Sequence, residues 1–448
     1  MGNLNILADP AVTVIFATSP TGLGHLRVTE ALYRGLPKTV SPVLLGAQDQ
    51  SVSALYRFVS IHPLTREVMT ILQLPPLDKP FAIVGRKLLR TQTKLLYQQL
   101  KTILSERLVV PKTVLLVVPH TILGHQLGAI KQKMADELGL DIILVVQVTD
   151  DSPQAIWYVY DADLLLVPSH YTQQKLQAYA HKAHFPQVPI VVTAYPISPS
   201  FAQDLSEHAY TSRLDQTDPQ SQNTIHMTVP VSGAAVGTKF ISEFIVSMHA
   251  QMDRILFHVV SREAPYTKSF IQTVSQLPYV QLHTSNHDRT TVLNYENVFH
   301  DVPVSLEVTK PSEQAFKALA TPKQRGGTIM LFSTPVGGQE YDNLHFLRNH
   351  DLMPSKAYTT ELWELSENKQ HLENEKILEM AHHWRGLRLP DNPQQAASFV
   401  LWCLEEKLFH RMMQYTRAQH AAELQSNGVE QFWNHVEALV EKRLLAAK

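Results

Sequence analysis

Short apolar runs rich in β-branched residues alternate with longer stretches of helical period along the first half of the chain. "VTVIFAT" (12–18) gives way to a helical pattern from about His25, and "TVLLVV" (113–118) to "GHQLGAIKQKMADELG", which stops at Gly139. Then come "DIILVVQV" (141–148), "ADLLLVPS" (162–169) with the helix "YTQQKLQAYAHK", and "PIVVTAY" (189–195). Apolar strands bounded by turn residues and separated by helices predict βαβ units of a buried parallel sheet.

The polar stretch 206–224, "SEHAYTSRLDQTDPQSQNT", interrupts this rhythm and reads as an interdomain linker. Beyond it the alternation restarts. "IHMTVPVSG", "RILFHVVS", "VQLHT", "VSLEVTK" and "GTIMLFSTP" are strand-like, and "KFISEFIVSMHAQM", "KSFIQTVSQL" and "SEQAFKALA" are helical. From Asn392 the pattern is helical to the end. The expected class is therefore α/β, with two Rossmann-like doubly wound domains, 1–205 and 225–391. They should face a cleft and be closed by a helical tail, 392–448, packing on one domain or bridging both.

Composition changes this picture little. The chain has 448 residues, 44% of them hydrophobic, enough for two or three cores at ~150 residues per domain. With 39 Lys+Arg against 41 Asp+Glu the formal charge is −2, which gives no global reason to expect nucleic acid as a partner. The single cysteine, Cys403, excludes an intramolecular disulfide framework and suits a reducing, cytoplasmic setting. The first residues lack the basic start and apolar core of a signal peptide, and no apolar run reaches the ~20 residues of a spanning helix. Any membrane role would be peripheral.

In doubly wound sheets ligands bind at the carboxyl ends of the strands, so the loops there hold the candidate chemistry. "SPTGLGHLR" offers Thr21, Gly22 and Gly24 beside His25, but Arg27 stands where a dinucleotide fingerprint needs its third glycine. A helix N-terminus disfavours imidazolium, which leaves His25 able to accept a proton. A histidine that only packs the turn is the alternative. In the second half, Ser232, Gly233, Ala234, Gly237 and Thr238 in "VSGAAVGTKF" are small enough for a diphosphate to approach the backbone at a helix N-terminus. "VTKPSEQ" supplies Lys310, Ser312 and Glu313, and "PVGGQEYDN" supplies Gly338, Gln339, Glu340 and Asn343, polar groups suited to sugar hydroxyls. Either loop could equally be a polar turn before a helix.

Taken in order, "SPTGLGHLRVTEAL", "VTDDSPQAIWYVYDADLLLVPS", "VVTAYPISPSF", "VSGAAVGT", "VTKPS" and "PVGGQEYDNLHFL" resemble the GT-B glycosyltransferases that include monogalactosyldiacylglycerol synthase and the N-acetylglucosaminyl transferase of the peptidoglycan precursor. The resemblance spans roughly residues 12 to 350. It implies inverting transfer of a sugar from a nucleotide-diphosphate donor, UDP-linked, to a lipid-linked or small-molecule acceptor such as a glycolipid. It implies no cofactor and no metal, because helix-terminal N–H groups can stabilise the departing diphosphate. It implies an acceptor side in the first domain, with His25 as candidate base; Asp150 or Asp151, at the end of "VVQVTDD", could orient the imidazole or serve as base instead. The donor side falls in the second, on the residues from Ser232 to Thr238, from Lys310 to Glu313 and from Gly338 to Asn343.

Three departures keep other readings open, one of them Ala234 and Ala235 where glycines are common in the family's phosphate loop. Where the family carries a glutamate for the donor ribose, this chain has Lys317 and Ala318, and Glu313 lies about 500° of helical rotation away at ~100° per residue. The family's histidine before the tryptophan is absent from "SPQAIW". A degenerate GT-B protein that binds nucleotide or glycan without turnover is thus the alternative, and an NAD-linked oxidoreductase survives only through the glycine turn. Of the 22 histidines, His283 and His287, or His382 and His383, are spaced for metal but lack a third ligand. The segment 81–108, with Arg86, Lys87, Arg90, Lys94 and Lys101 beside Leu88, Leu89, Leu95, Leu96 and Leu100, is either a face for the anionic inner surface of a membrane or a packed helix with a solvated basic side. The second is the expectation.

Overall fold

The computed structural model describes residues 4–18, 23–46, 78–107, 109–231, 233, 235–415 and 421–446. Its contacts divide the chain into two units, Met1–Pro199 with Ala421–Lys448, and Ser200–His420.

The first unit is built on a parallel sheet of β1 (Val12–Thr18), β2 (Val43–Gly46), β3 (Thr113–Val118), β4 (Asp141–Gln147), β5 (Leu164–Val167) and β6 (Ile190–Val192). They lie in the order β2-β1-β3-β4-β5-β6. Every residue of β3 is buried, the expected state of a central strand covered on both faces. Strand order reverses between β1 and β3, because β2 lies on one side of β1 and all later strands on the other. Helix Thr121–Leu138 ends where the sequence places it, on Gly139 in the left-handed conformation (φ 66°).

The final helix, Gly428–Ala446, belongs to this unit. It docks closely enough on the end of β6 that a Cβ at Gly428 would stand 2.3 Å from the Ala194 carbonyl oxygen. The Trp433 indole donates to the carbonyl of Leu32 (2.9 Å), and the Glu423 carboxylate accepts from the His170 amide at the start of helix His170–Lys182 (3.0 Å).

The second unit repeats the plan with β7 (Ile225–Pro230), β8 (Ile255–Arg262), β9 (Val280–Ser285), β10 (Leu306–Thr309), β11 (Ile329–Phe332) and β12 (Gly386–Arg388). Their parallel order is β12-β11-β10-β7-β8-β9, with the reversal between β7 and β10. Both sheets are thus doubly wound and Rossmann-like. Helices Pro393–Glu405 and Leu408–Met413 lie in this unit, so the C-terminal helical region divides between the two.

Three sequence expectations change. Residues 206–224 are no free linker, because Glu207–Gln216 is a helix, capped by the Ser206 hydroxyl, within the second unit. Its anchor is a charged residue, which hydropathy cannot flag: Arg213 is fully buried and donates to the carbonyls of Pro322, Gln324 and Arg325 at 2.6–2.7 Å. Glu313–Leu319 is a 3-10 helix, so the rotation reckoned for an α-helix does not apply. The basic segment is two helices, Asp78–Leu89 and Lys94–Ser105, and its charge is not all solvated. Arg86 is buried, donates to the Tyr179 hydroxyl (3.1 Å) and the Ala155 carbonyl (2.9 Å), and stacks over Phe185, while Arg90 pairs with Asp161. Strands β2 and β12 are short and were not expected.

Candidate functional site

In each unit the described candidate residues follow the carboxyl ends of strands at or next to the point where strand order reverses. In the first unit that point lies between β1 and β3. Helix Leu23–Arg34 follows β1, and His25 stands in its first turn; Thr21 and Gly22, before it, lie outside the described residues. From the end of β3 comes His120, the N-cap of helix Thr121–Leu138, whose Nδ1 accepts from the Leu123 amide at 3.5 Å. The two imidazole centroids are 4.6 Å apart and their planes are inclined at 55°. His120 is buried, and burial first, then the neighbouring His25, holds its pKa well below that of an ordinary histidine.

The end of β4 supplies the third wall. The Thr149 hydroxyl lies 3.2 Å from Nδ1 of His25, and the Thr149 carbonyl accepts from the Tyr195 hydroxyl (3.0 Å), beyond β6. Asp151, buried beside it, accepts from the hydroxyls of Ser169 and Thr172 (2.7 Å for Thr172), which ties this loop to the N-terminus of helix His170–Lys182. Asp150 is partly exposed. Gly24, in the same turn as His25, is partly exposed as well.

In the second unit the strands at the reversal are β7 and β10. After β7, Gly233, Gly237 and Thr238 lead into helix Thr238–Gln251; Ser232 and Ala234 lie outside the described residues. Gly237 caps this helix with φ 86°, a region that glycine enters without a Cβ penalty, and the Tyr266 hydroxyl, from beyond β8, donates to the Gly233 carbonyl (2.9 Å). Backbone amides at a helix start favour an anion.

After β10, Lys310 reaches across to Glu340, on helix Gly338–Asn349 beyond β11, with Nζ 2.5 Å from Oε1. Glu340 also accepts from the Val336 amide (2.6 Å), and Asn343 donates to the Pro311 carbonyl (3.2 Å). Burial raises the Glu340 pKa, and Lys310 acts against that rise. Lys310, Glu340 and Asn343 thus come together, as a brace between two loops. Gly338 and Gln339 are partly exposed at the start of the same helix, and Ser312 precedes Glu313 at the start of the 3-10 helix.

Lys317 lies elsewhere. It is buried in the sheet core, where its Nζ is 2.6 Å from Glu307 Oε2 and 2.9 Å from the Tyr295 hydroxyl, with the Phe299 ring 3.8 Å away. Tyr295 and Thr228 each donate to the Glu307 carboxylate at 2.8 Å. This cluster, His120 and Tyr195 were missed by sequence reasoning. The only signal for the cluster was a charged residue inside the strand run "VSLEVTK". Among the described residues, no group of three or more His, Cys, Asp or Glu is placed to hold a metal ion.

A scan against protein-family models finds no match, and a search of curated proteins by sequence finds none either. Among solved structures, the chain is similar to the UDP-GlcNAc 2-epimerase of Neisseria meningitidis bound to UDP-GlcNAc (11% identity, TM-score 0.47, covering 96% of this chain and 99% of that one). It is similar also to Arabidopsis thaliana UGT89C1 complexed with UDP-L-rhamnose (12%, 0.47, 96% and 98%) and to Acinetobacter baumannii MurG (13%, 0.44, 96% and 99%). Likeness at this level transfers no activity, and function has to come from this chain's own residues. The chain is an α/β protein of two Rossmann-like units.

Proposed function

We propose that this protein is a GT-B glycosyltransferase that moves a sugar from a nucleotide-diphosphate donor, UDP-linked, to a hydroxyl of a lipid-linked or small-molecule acceptor, with inversion. The observation that supports the reading is that the described motif residues of each unit follow the carboxyl ends of strands at or next to the sheet's reversal, β1 and β4 in the first unit and β7, β10 and β11 in the second, where doubly wound sheets bind ligands. The second unit takes the donor, its diphosphate against the amides at the start of helix Thr238–Gln251. The first takes the acceptor. His25 removes the hydroxyl proton, the oxygen attacks the anomeric carbon, and the bond from that carbon to the diphosphate breaks with its electron pair leaving on the phosphate oxygen. No cofactor is needed.

A peripheral contact with an anionic membrane belongs to this reading. Ile83, Val84 and Leu88 on helix Asp78–Leu89 and Leu95 on helix Lys94–Ser105 are exposed, as are Lys87 and Lys94, the mix of apolar and cationic groups that suits an anionic surface. No described helix is long and apolar enough to cross a membrane. Sedimentation with vesicles of anionic lipid tests the contact: Val84→Glu/Leu88→Glu should lose binding that the native chain shows, and equal binding by both would remove these residues from the account.

A second reading, binding without turnover, is favoured by the Lys310–Glu340 brace, which engages two polar side chains of the donor loop with each other. Calorimetric titration with nucleoside diphosphates and nucleotide sugars, followed by product analysis with the donor that binds, separates the two. Binding with transfer supports the enzyme, and binding alone supports the sensor.

A further inference from the structure

His120 has no role in the reaction just described, yet it lies 4.6 Å from the proposed base, ring centre to ring centre. Its own backbone explains why its ring is fixed. As N-cap of an 18-residue helix it has extended geometry (φ −153°, ψ 120°), and Nδ1 is committed to the Leu123 amide. A nitrogen that accepts an N–H carries no proton, so the neutral ring bears its hydrogen on Nε2. Protonating Nδ1 would break the cap and place a cation in a site where the residue is only 4% exposed.

We propose that His120 is a positioning residue for His25: the two imidazoles share a site that holds at most one proton, and that proton resides on His25. The inference rests on the reading of this strand end as the acceptor site. Two cations at this separation repel strongly outside bulk water, so the ring that can reach solvent takes the proton and the capping ring stays neutral. His120 then serves as a fixed, uncharged neighbour. A cation in its place would make His25 a weaker base as the acceptor proton arrives. The other titratable or charged groups on the surrounding elements are Arg27 and Glu30 on the helix of His25, Asp150 and Asp151 after β4, Tyr195 after β6, and His125 on the helix of His120, whose pKa burial lowers to about 3. The carboxylates favour retention of the single proton.

The test is a histidine side-chain NMR titration of the full chain, with resonances assigned from His25→Gln and His120→Asn. In the native protein the His120 ring should stay neutral throughout the accessible range. In His25→Gln the His120 midpoint should rise, since the repelling neighbour is gone. Asparagine is also uncharged and a good N-cap but lacks the ring that packs 4.6 Å from His25, so His120→Asn should keep the native melting temperature and still lower kcat about tenfold or more, with KM for the donor unchanged. Two titrating rings in the native protein, or an unmoved His120 midpoint in His25→Gln, would overturn the proposal. Native kcat in His120→Asn would do so too. A coupled pair in a protein that transfers no sugar would leave the pair standing and remove the proposed function.

Discussion

Replacing Lys317 by methionine tests whether the charge cluster in the second unit is built as described. The Glu307 side chain is fully buried, and its carboxylate is answered by the Lys317 ammonium and by the hydroxyls of Tyr295 and Thr228. Methionine keeps most of the volume and the contact with Phe299 but leaves the carboxylate with two neutral donors. Breaking a buried pair from one side costs about 3–5 kcal/mol. At about 2–4 °C per kcal/mol for a unit of this size, the melting temperature should fall by roughly 6–20 °C at pH 7. Adding Glu307→Gln should recover most of the loss, since the amide oxygen still accepts from Tyr295 and Thr228. Differential scanning calorimetry of the single and double variants decides. A single variant that loses less than about 1 kcal/mol, or a double variant no better than the single, would refute the reasoning.

The remaining predictions are narrower. His258 is buried on β8 beside His226, and its pKa falls to about 3, so the unfolded chain takes up a proton near pH 6.5 that the folded one refuses. Stability should therefore fall by about 2 kcal/mol between pH 7 and 5 from this residue alone, and denaturant titrations of His258→Gln should show a correspondingly flatter profile. Gly428→Ala puts a methyl against the backbone carbonyl of Ala194, which cannot rotate away, so the first unit should lose about 1–3 kcal/mol in the same measurement.

Much of the architecture is legible because its strands are buried on both faces: β1, β3, β4 and β7 stand out as apolar runs. Where charge replaces apolar burial, periodicity is silent. Arg213 anchors a helix that reads as linker, Arg86 sits in an aromatic pocket inside a segment that reads as a solvated basic face, and Lys317 occupies the core. The candidate site was legible one loop at a time. His25, Gly237 and Lys310 follow from their places after β1, β7 and β10, but His120 required knowing that β3 lies next to β1, a pairing between segments about 100 residues apart in sequence.

The central claim is that the second unit holds a nucleoside diphosphate at the start of helix Thr238–Gln251. Isothermal titration of UDP into the full chain and into Gly237→Val tests it most directly. Cβ atoms have open space at Gly237, so the substitution acts through the backbone, where φ 86° is costly for a β-branched residue and the amides around it must shift. The account predicts saturable binding by the native protein and a loss of at least tenfold in affinity in a variant that still melts cooperatively. Undiminished binding in the variant, or no binding of UDP or any other nucleoside diphosphate by the native chain, would contradict it.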